Sequence, residues 1–169
     1  NVAKKSKFIK QIIVTTDDEK VSTIAQNLGA ECPFIRPKIF SESYVNLEMV
    51  QKFSLEKIED MGIYPDLIVH LEETYPFRQP DMIDQMIEYL LNEGFDSVIA
   101  ARSESGFLWQ EDTQKNYVRM DSGDVPREFK EKSFVGLQGL GCVTHPEFIR
   151  QERILGDKIG LFKVDYPLA

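Results

Sequence analysis

Two hydroxyls and two carboxylates stand in a row at Thr15, Thr16, Asp17 and Asp18, directly after the apolar run 12–14, and Arg36 leaves a later apolar run immediately before Pro37. Proline biases the residue before it toward an extended backbone, which fixes where the Arg36 guanidinium leaves the chain. A planar guanidinium can hydrogen-bond a nucleotide oxygen in a way that a point charge cannot, and polar residues at the carboxyl end of a strand sit where open α/β sheets bind ligands. The same four polar residues also suit an ordinary helix N-cap with favourable first-turn acids. Asn46 can both donate and accept, and helix capping explains it equally well.

A second polar block, 71–78 (LEETYPFR), follows another apolar run. Glu72 and Glu73 offer the hard oxygens that Mg²⁺ prefers, although adjacent acids are common in turns. Thr74 and Arg78 add a hydroxyl and a second guanidinium. Further along come the basic residues Arg127, Lys130 and Lys132, candidates to meet an acidic ligand, and then Gln138 beside Gly139. His70 and His145 form no metal-ligand pattern with Cys32 and Cys142. Nor do the glycines near position 139 spell a dinucleotide fingerprint, since no strand–GxGxxG–helix unit surrounds them.

These residues need elements to position them. Residues 8–15 (FIKQIIVT) are β-branched and nearly continuous in apolar character, as in a strand buried on both faces of a parallel sheet. Val21, Ile24, Ala25 and Leu28 then fall on one helical face, and Gly29 stands where a left-handed C-terminal residue is wanted. A second helix is predicted over 46–61 with Gly62 as its stop, and a second buried strand over 66–71. Pro80 suits a first helical position, and Met82, Ile83, Met86, Ile87, Leu90 and Leu91 make a broad core face ended by Gly94. A strand over 96–101 completes a β/α alternation of the doubly wound kind. From 102 to 131 the periodicity disappears while Phe107, Trp109 and Tyr117 accumulate, so an arm, lid or dimer element is expected there. A glycine-punctuated apolar stretch (134–144), a short helix opened by Pro146 and a strand over 159–164 follow.

With 169 residues and 42% hydrophobic content the chain fits one domain, 1–169, with a sizeable core. A net charge of −8 argues against a general nucleic-acid surface. Two cysteines are too few and too distant for a disulfide framework, which points to a reducing cytoplasm. No apolar run approaches the ~18 residues of a membrane span, so no membrane partner is expected.

The stretch 12–37, IIVTTDDEKVSTIAQNLGAECPFIRP, resembles the segment after the nucleotide loop in the acylneuraminate cytidylyltransferase (CMP-N-acylneuraminate synthetase) family: strand, S/T-T-D-D/S, a helix ending at Gly-Ala, then an apolar run into Arg-Pro. LEETYPFR at 71–78 resembles that family's LQPTSPLR. Thr74, Pro76 and Arg78 match it, whereas Glu72 replaces Gln, Glu73 Pro, Tyr75 Ser and Phe77 Leu. Pro126-Arg127 and Gln138-Gly139 are looser matches to the family's Pro-Arg and Asn-Gly. The resemblance covers nearly the whole chain, most closely 8–101.

The resemblance implies a three-layer α/β/α, mostly parallel, Rossmann-like fold of the nucleotide-diphospho-sugar transferase type, and an enzyme that joins CTP to a sialic-type or related sugar acid for surface glycan synthesis, with Mg²⁺ as cofactor and a homodimer built through 102–131. It places Arg36, Asn46, Thr16 and Asp17 at the nucleotide, and Glu72, Thr74, Arg78, Arg127 and Gln138 at the sugar. Its catalytic parts, a basic triphosphate loop and a DID-type aspartate pair, are expected before Asn1 and after Ala169, so the chain alone is expected to be inactive. Two alternatives stay open: a non-catalytic binding or assembly module on the same fold, and a related nucleotidyltransferase using another sugar or nucleotide.

Overall fold

The computed structural model describes residues 2–121, 125–129 and 131–165, without the side chain of Arg127. Among these residues the order is α1 (Glu19–Asn27), α2 (Leu47–Asp60), β1 (Ile68–His70), α3 (Met82–Glu93), β2 (Ser97–Glu104), β3 (Trp109–Glu111), β4 (Tyr117–Arg119), β5 (Ser133–Gly136), β6 (Cys142–Thr144), α4 (Pro146–Arg150) and β7 (Ile159–Lys163), with short 3₁₀ turns between them.

Helix α3 forms where the 3.6-residue apolar period predicts it. Met82, Ile83, Met86, Ile87 and Leu90 are all buried, and Gly94 takes the left-handed conformation that ends the helix (φ 61°). Pro80 lies just before the helix, whose N-cap is Asp81. The expected core face is narrower by one residue, because Leu91 points outward and is 55% exposed. This face packs with Val98 and Ala100 of β2, Val143 of β6 and Leu140. Each of the Met, Ile, Leu and Val side chains contributes about 1.5 to 3 kcal/mol by leaving water.

The α/β class holds, but the mostly parallel sheet expected from the sequence does not form. The sheet runs β1-β6-β2-β5, with β7 also on β2. β6 is antiparallel to both β1 and β2, β5 is antiparallel to β2, and only β7 pairs with β2 in parallel among these five. The reason is one reversed strand. β1 and β2 share a direction, as the helical crossover through α3 requires, but β6 is inserted between them and turns two would-be parallel neighbours into antiparallel ladders.

Ala101 pairs with Gly136 of β5 on one side and Lys163 of β7 on the other, so β5 and β6 lie end to end along one edge of β2. Between them, residues 137–141 leave the sheet opposite the single residue Ala100. Ala100 accepts the Leu137 N–H (2.7 Å) and donates its own N–H to the Gly141 carbonyl (2.9 Å), so the ladder closes on both sides of the excursion.

Two further expectations change. Residues 8–15 form no named strand. Ile13 makes one parallel bridge to Glu31, closed by Val14 N–H to Glu31 O and Glu31 N–H to Ile12 O at 2.8 Å each, and the segment is half-buried rather than sealed. An apolar run marks a strand only where neighbours pair along it, and this one is paired on one side. Residues 66–71 likewise give a short, half-buried β1. α1 is capped by the Asp18 carboxylate, which accepts the Lys20 N–H. Its predicted apolar face is exposed at Val21, Ile24 and Leu28, whereas Ser22 is buried.

The aperiodic stretch 102–131 contains a β3–β4 hairpin. Asp112 organises its turn by accepting the N–H groups of Gln114 and Asn116 at 2.8 Å. Phe107, Trp109, Tyr117, Val118 and Met120 are all exposed on it.

Candidate functional site

The first cluster is built where the 12–14 segment ends. Thr16 is buried, its hydroxyl accepts the Asp18 N–H (3.1 Å) and its carbonyl accepts the Arg36 N–H (2.8 Å). That last bond ties the two apolar runs together at their carboxyl ends and sets Arg36 beside the 15–18 turn. The guanidinium donates from Nη1 to Thr15 Oγ1 and from Nη2 to Ser41 Oγ, at 3.2 Å each. Asp17 lies 3.8 Å from Nη2. The Nε–H is buried with no hydrogen-bond partner, and a buried unpaired donor costs about 1 to 3 kcal/mol. Thr15, Thr16, Asp17 and Arg36, singled out in the sequence, are therefore one constellation. Ser41, contributed by the 3₁₀ turn Lys38–Ser41, was not legible beforehand because nothing in its neighbours marks it.

Asn46 spends its side-chain oxygen on capping α2, accepting the Met49 N–H at 2.9 Å. No hydrogen bond or ion pair among the described residues joins it to Arg36.

The second cluster lies where β1 ends. His70 and Glu72 are two residues apart in an extended segment, so their side chains share a side. His70 Nε2 lies 3.2 Å from Glu72 Oε1, and Thr74 Oγ1 donates to Glu72 Oε2, also at 3.2 Å. The Glu72 N–H donates to the Gly139 carbonyl (2.8 Å), which brings the 137–141 excursion against the carboxyl end of β1. A Cβ at Gly139 would meet the Glu72 carboxylate and come within 2.9 Å of the Tyr75 ring, so both side chains would have to shift to admit one.

Arg78 enters this cluster differently from the sequence expectation. Its Nε donates to Leu140 O (2.7 Å), and its Nη2 donates to Gly139 O (2.7 Å) and Glu72 O (2.6 Å). Desolvation pulls its pKa below the ordinary arginine value while nearby Glu72 pulls the other way, and a guanidinium stays charged under both. Gln138 rides on the excursion, and its Nε2 is buried without a partner. The structure thus unites Glu72, Thr74, Arg78 and Gln138, and adds His70 and Tyr75.

Glu72 and Glu73 do not fit a resident Mg²⁺ site. Both Glu72 oxygens are engaged with His70 and Thr74, Glu73 is exposed, and no group of three His, Cys, Asp or Glu among the described residues is arranged to hold a metal. Of the basic candidates, Lys132 is exposed, while Lys130 and the Arg127 side chain lie outside the described residues. Cys142 is buried, and burial pushes its thiol up to about 12, so it is no nucleophile at neutral pH.

A family model described as cytidylyltransferase matches residues 1–132. N-acylneuraminate cytidylyltransferase from Oncorhynchus mykiss is 28% identical over 106 residues, covering 63% of this chain and 23% of that protein. Pseudaminic acid cytidylyltransferase from Campylobacter jejuni is 25% identical over 96 residues, 57% of this chain and 41% of its own. Post-translational flagellin modification protein B from Campylobacter coli is 23% identical over 99% of this chain and 73% of its own. This chain spans less than a quarter of the length of the first of these relatives. Among solved structures, CMP:2-keto-3-deoxy-manno-octonic acid synthetase complexed with CTP aligns with a TM-score of 0.64 at 12% identity, over 96% of this chain and 76% of that one. 4-diphosphocytidyl-2C-methyl-D-erythritol synthase from Anaerococcus prevotii aligns at 0.60 and 13% identity, over 98% and 80%. At these identities the structural likeness is one of fold.

Proposed function

Because the chain belongs to the cytidylyltransferase family, we propose that it takes part in joining CTP to a sugar acid of the nonulosonic or shorter keto-deoxy class, giving a CMP-sugar and pyrophosphate. A sugar-acid hydroxyl oxygen forms the new bond to the α-phosphorus of CTP. The bond from that phosphorus to the bridging oxygen breaks, pyrophosphate leaves, and the hydroxyl proton passes to solvent or a base. CTP enters as its magnesium complex, the metal carried on triphosphate oxygens, as suits an ion that keeps most of its water.

The observation that carries the nucleotide side is Arg36, a guanidinium held by Thr15 and Ser41 with a buried, unpartnered Nε–H. In this reading Thr16 and Asp17 shape the same subsite, and Asn46 has only its side-chain nitrogen to offer it, since the oxygen caps α2. The sugar acid meets the second cluster, Glu72, Thr74 and Gln138, with Arg127, Lys130 and Lys132 as cations for its carboxylate. The exposed aromatic hairpin supports a homodimer made through 102–131. No helix among the described residues is long and apolar enough to cross a membrane, and both cysteines are free. Both facts accord with action in the cytoplasm, with the product feeding surface glycan synthesis.

The test is pyrophosphate release by the full-length protein from CTP and Mg²⁺ with a panel holding N-acetylneuraminate, pseudaminate and 2-keto-3-deoxy-octonate, the product identified by mass. Formation of a CMP-sugar supports the reading. CTP binding without turnover would favour a binding module, and turnover with another nucleotide in preference to CTP would overturn the CTP assignment.

A further inference from the structure

Three carbonyl oxygens from two separate loops converge on one guanidinium. Arg78 reaches Glu72 O at the end of β1 and Gly139 O and Leu140 O in the 137–141 excursion, all at 2.6 to 2.7 Å. The excursion is held from within by the Leu140 and Gly141 N–H groups, which donate to Leu137 O at 3.0 and 3.3 Å, and by Leu137 and Leu140, which are buried in the core. Arg78 and the Glu72 N–H to Gly139 O bond then fasten its Gly139–Leu140 carbonyls to the end of β1. A lysine could not replace Arg78: a single ammonium on a flexible stem cannot present two separated nitrogens in a fixed plane. The docked excursion carries Gln138, whose Nε2–H is buried and unpaired. Such a donor is costly while unpaired and is therefore available to an incoming acceptor.

Building on the assignment of the Glu72 cluster to the sugar acid, we propose that Arg78 is a positioning residue that contacts no ligand: it clasps the excursion to the end of β1 and so aims the Gln138 amide at a sugar-acid oxygen. Glu72 and Gln138 are then set by the same clasp, Glu72 through its carbonyl and N–H and Gln138 through the neighbouring Gly139 carbonyl.

The experiment compares Arg78→Lys and Gln138→Ala with the wild type. Amide hydrogen exchange is measured without ligand, and binding of CTP and of each sugar acid in the panel is measured by calorimetry. Arg78→Lys is expected to speed exchange at residues 137–141 by at least about tenfold, with α3 and β2 unchanged. Sugar-acid affinity should fall by at least about tenfold while CTP affinity stays within about twofold. Gln138→Ala should lower sugar-acid affinity alone, with the excursion's exchange unchanged. Lost sugar-acid affinity with unchanged exchange in Arg78→Lys would overturn the proposal in favour of direct contact, and a parallel loss of CTP affinity and of α3 protection would reduce Arg78 to a fold residue. Should Arg78→Lys not fold, Gln138→Ala carries the test, and sugar-acid affinity unaffected by it overturns the proposal. If the wild type binds no sugar acid, the functional reading and the role of Gln138 fall together, while the exchange arm still decides the clasp.

Discussion

Replacing Arg36 by alanine separates its two possible uses, because the structure assigns them different magnitudes. As a fold residue, its side chain makes two bonds to hydroxyls at 3.2 Å, each worth about 0.5 to 1.5 kcal/mol. Against this stands the buried Nε–H without a partner, whose desolvation costs about 1 to 3 kcal/mol. The bond that holds the two segments together, Arg36 N–H to Thr16 O at 2.8 Å, is backbone and survives the substitution. These contributions largely offset, so stability should change by no more than about 2 kcal/mol in either direction. Binding should change far more. A charge-assisted bond from the fork or from Nε to a nucleotide oxygen is worth about 1.5 to 3 kcal/mol, roughly a 10- to 150-fold loss in CTP affinity. Arg36→Lys keeps the charge without the planar fork and should recover only part of that loss. Calorimetric titration with CTP and thermal unfolding of the three proteins check both magnitudes. Unchanged CTP affinity in Arg36→Ala, or a large drop in melting temperature with intact binding, would refute the reasoning and return Arg36 to the fold.

Glu72→Gln should shift relative kcat/KM among the panel's sugar acids by about 1 to 3 kcal/mol, since an amide can donate where the carboxylate only accepts; equal scaling of every substrate would show that Glu72 does not face the sugar. Ser97 and Thr144 share a buried 2.7 Å hydroxyl contact, and Ser97 also accepts the Gly156 N–H at 2.9 Å. Ser97→Ala, which orphans both partners, should cost about 2 to 4 kcal/mol in urea unfolding, while Thr144→Val, which leaves the Gly156 bond intact, should cost about 1; the reverse order would contradict the network. Both amide atoms of Gln51 on α2 are buried without partners, so Gln51→Met should stabilise by about 1 to 3 kcal/mol and raise the melting temperature. Trp109→Ser combined with Tyr117→Ser should convert a dimer to a monomer in sedimentation; a wild type that is already monomeric at high micromolar concentration would remove the arm's assigned role.

The sequence by itself determined the helices, their caps and the family. Asp18 and Asn46 cap where short acceptors precede an apolar period, α3 buries the face its spacing dictates, and Gly29, Gly62 and Gly94 take positive φ where the periods stop. These features are local, so a local pattern suffices to read them. The sequence also named Thr16, Asp17, Arg36, Glu72, Thr74, Arg78 and Gln138 as polar residues at loop positions. What each side chain does was decided by tertiary structure alone. Arg78 reads in sequence as a ligand residue, yet its donors meet carbonyls more than sixty positions away as well as near at hand, because β6 is inserted beside β1 and carries the excursion there. The same insertion made the sheet mostly antiparallel, which strand-by-strand hydrophobicity cannot reveal: burial pattern records how many faces are covered, not the direction of the neighbour. The exposed face of α1 makes the complementary point. Its periodicity specified a helix with an apolar side, but whether that side is covered depends on what packs against it, and no residue of the helix encodes that.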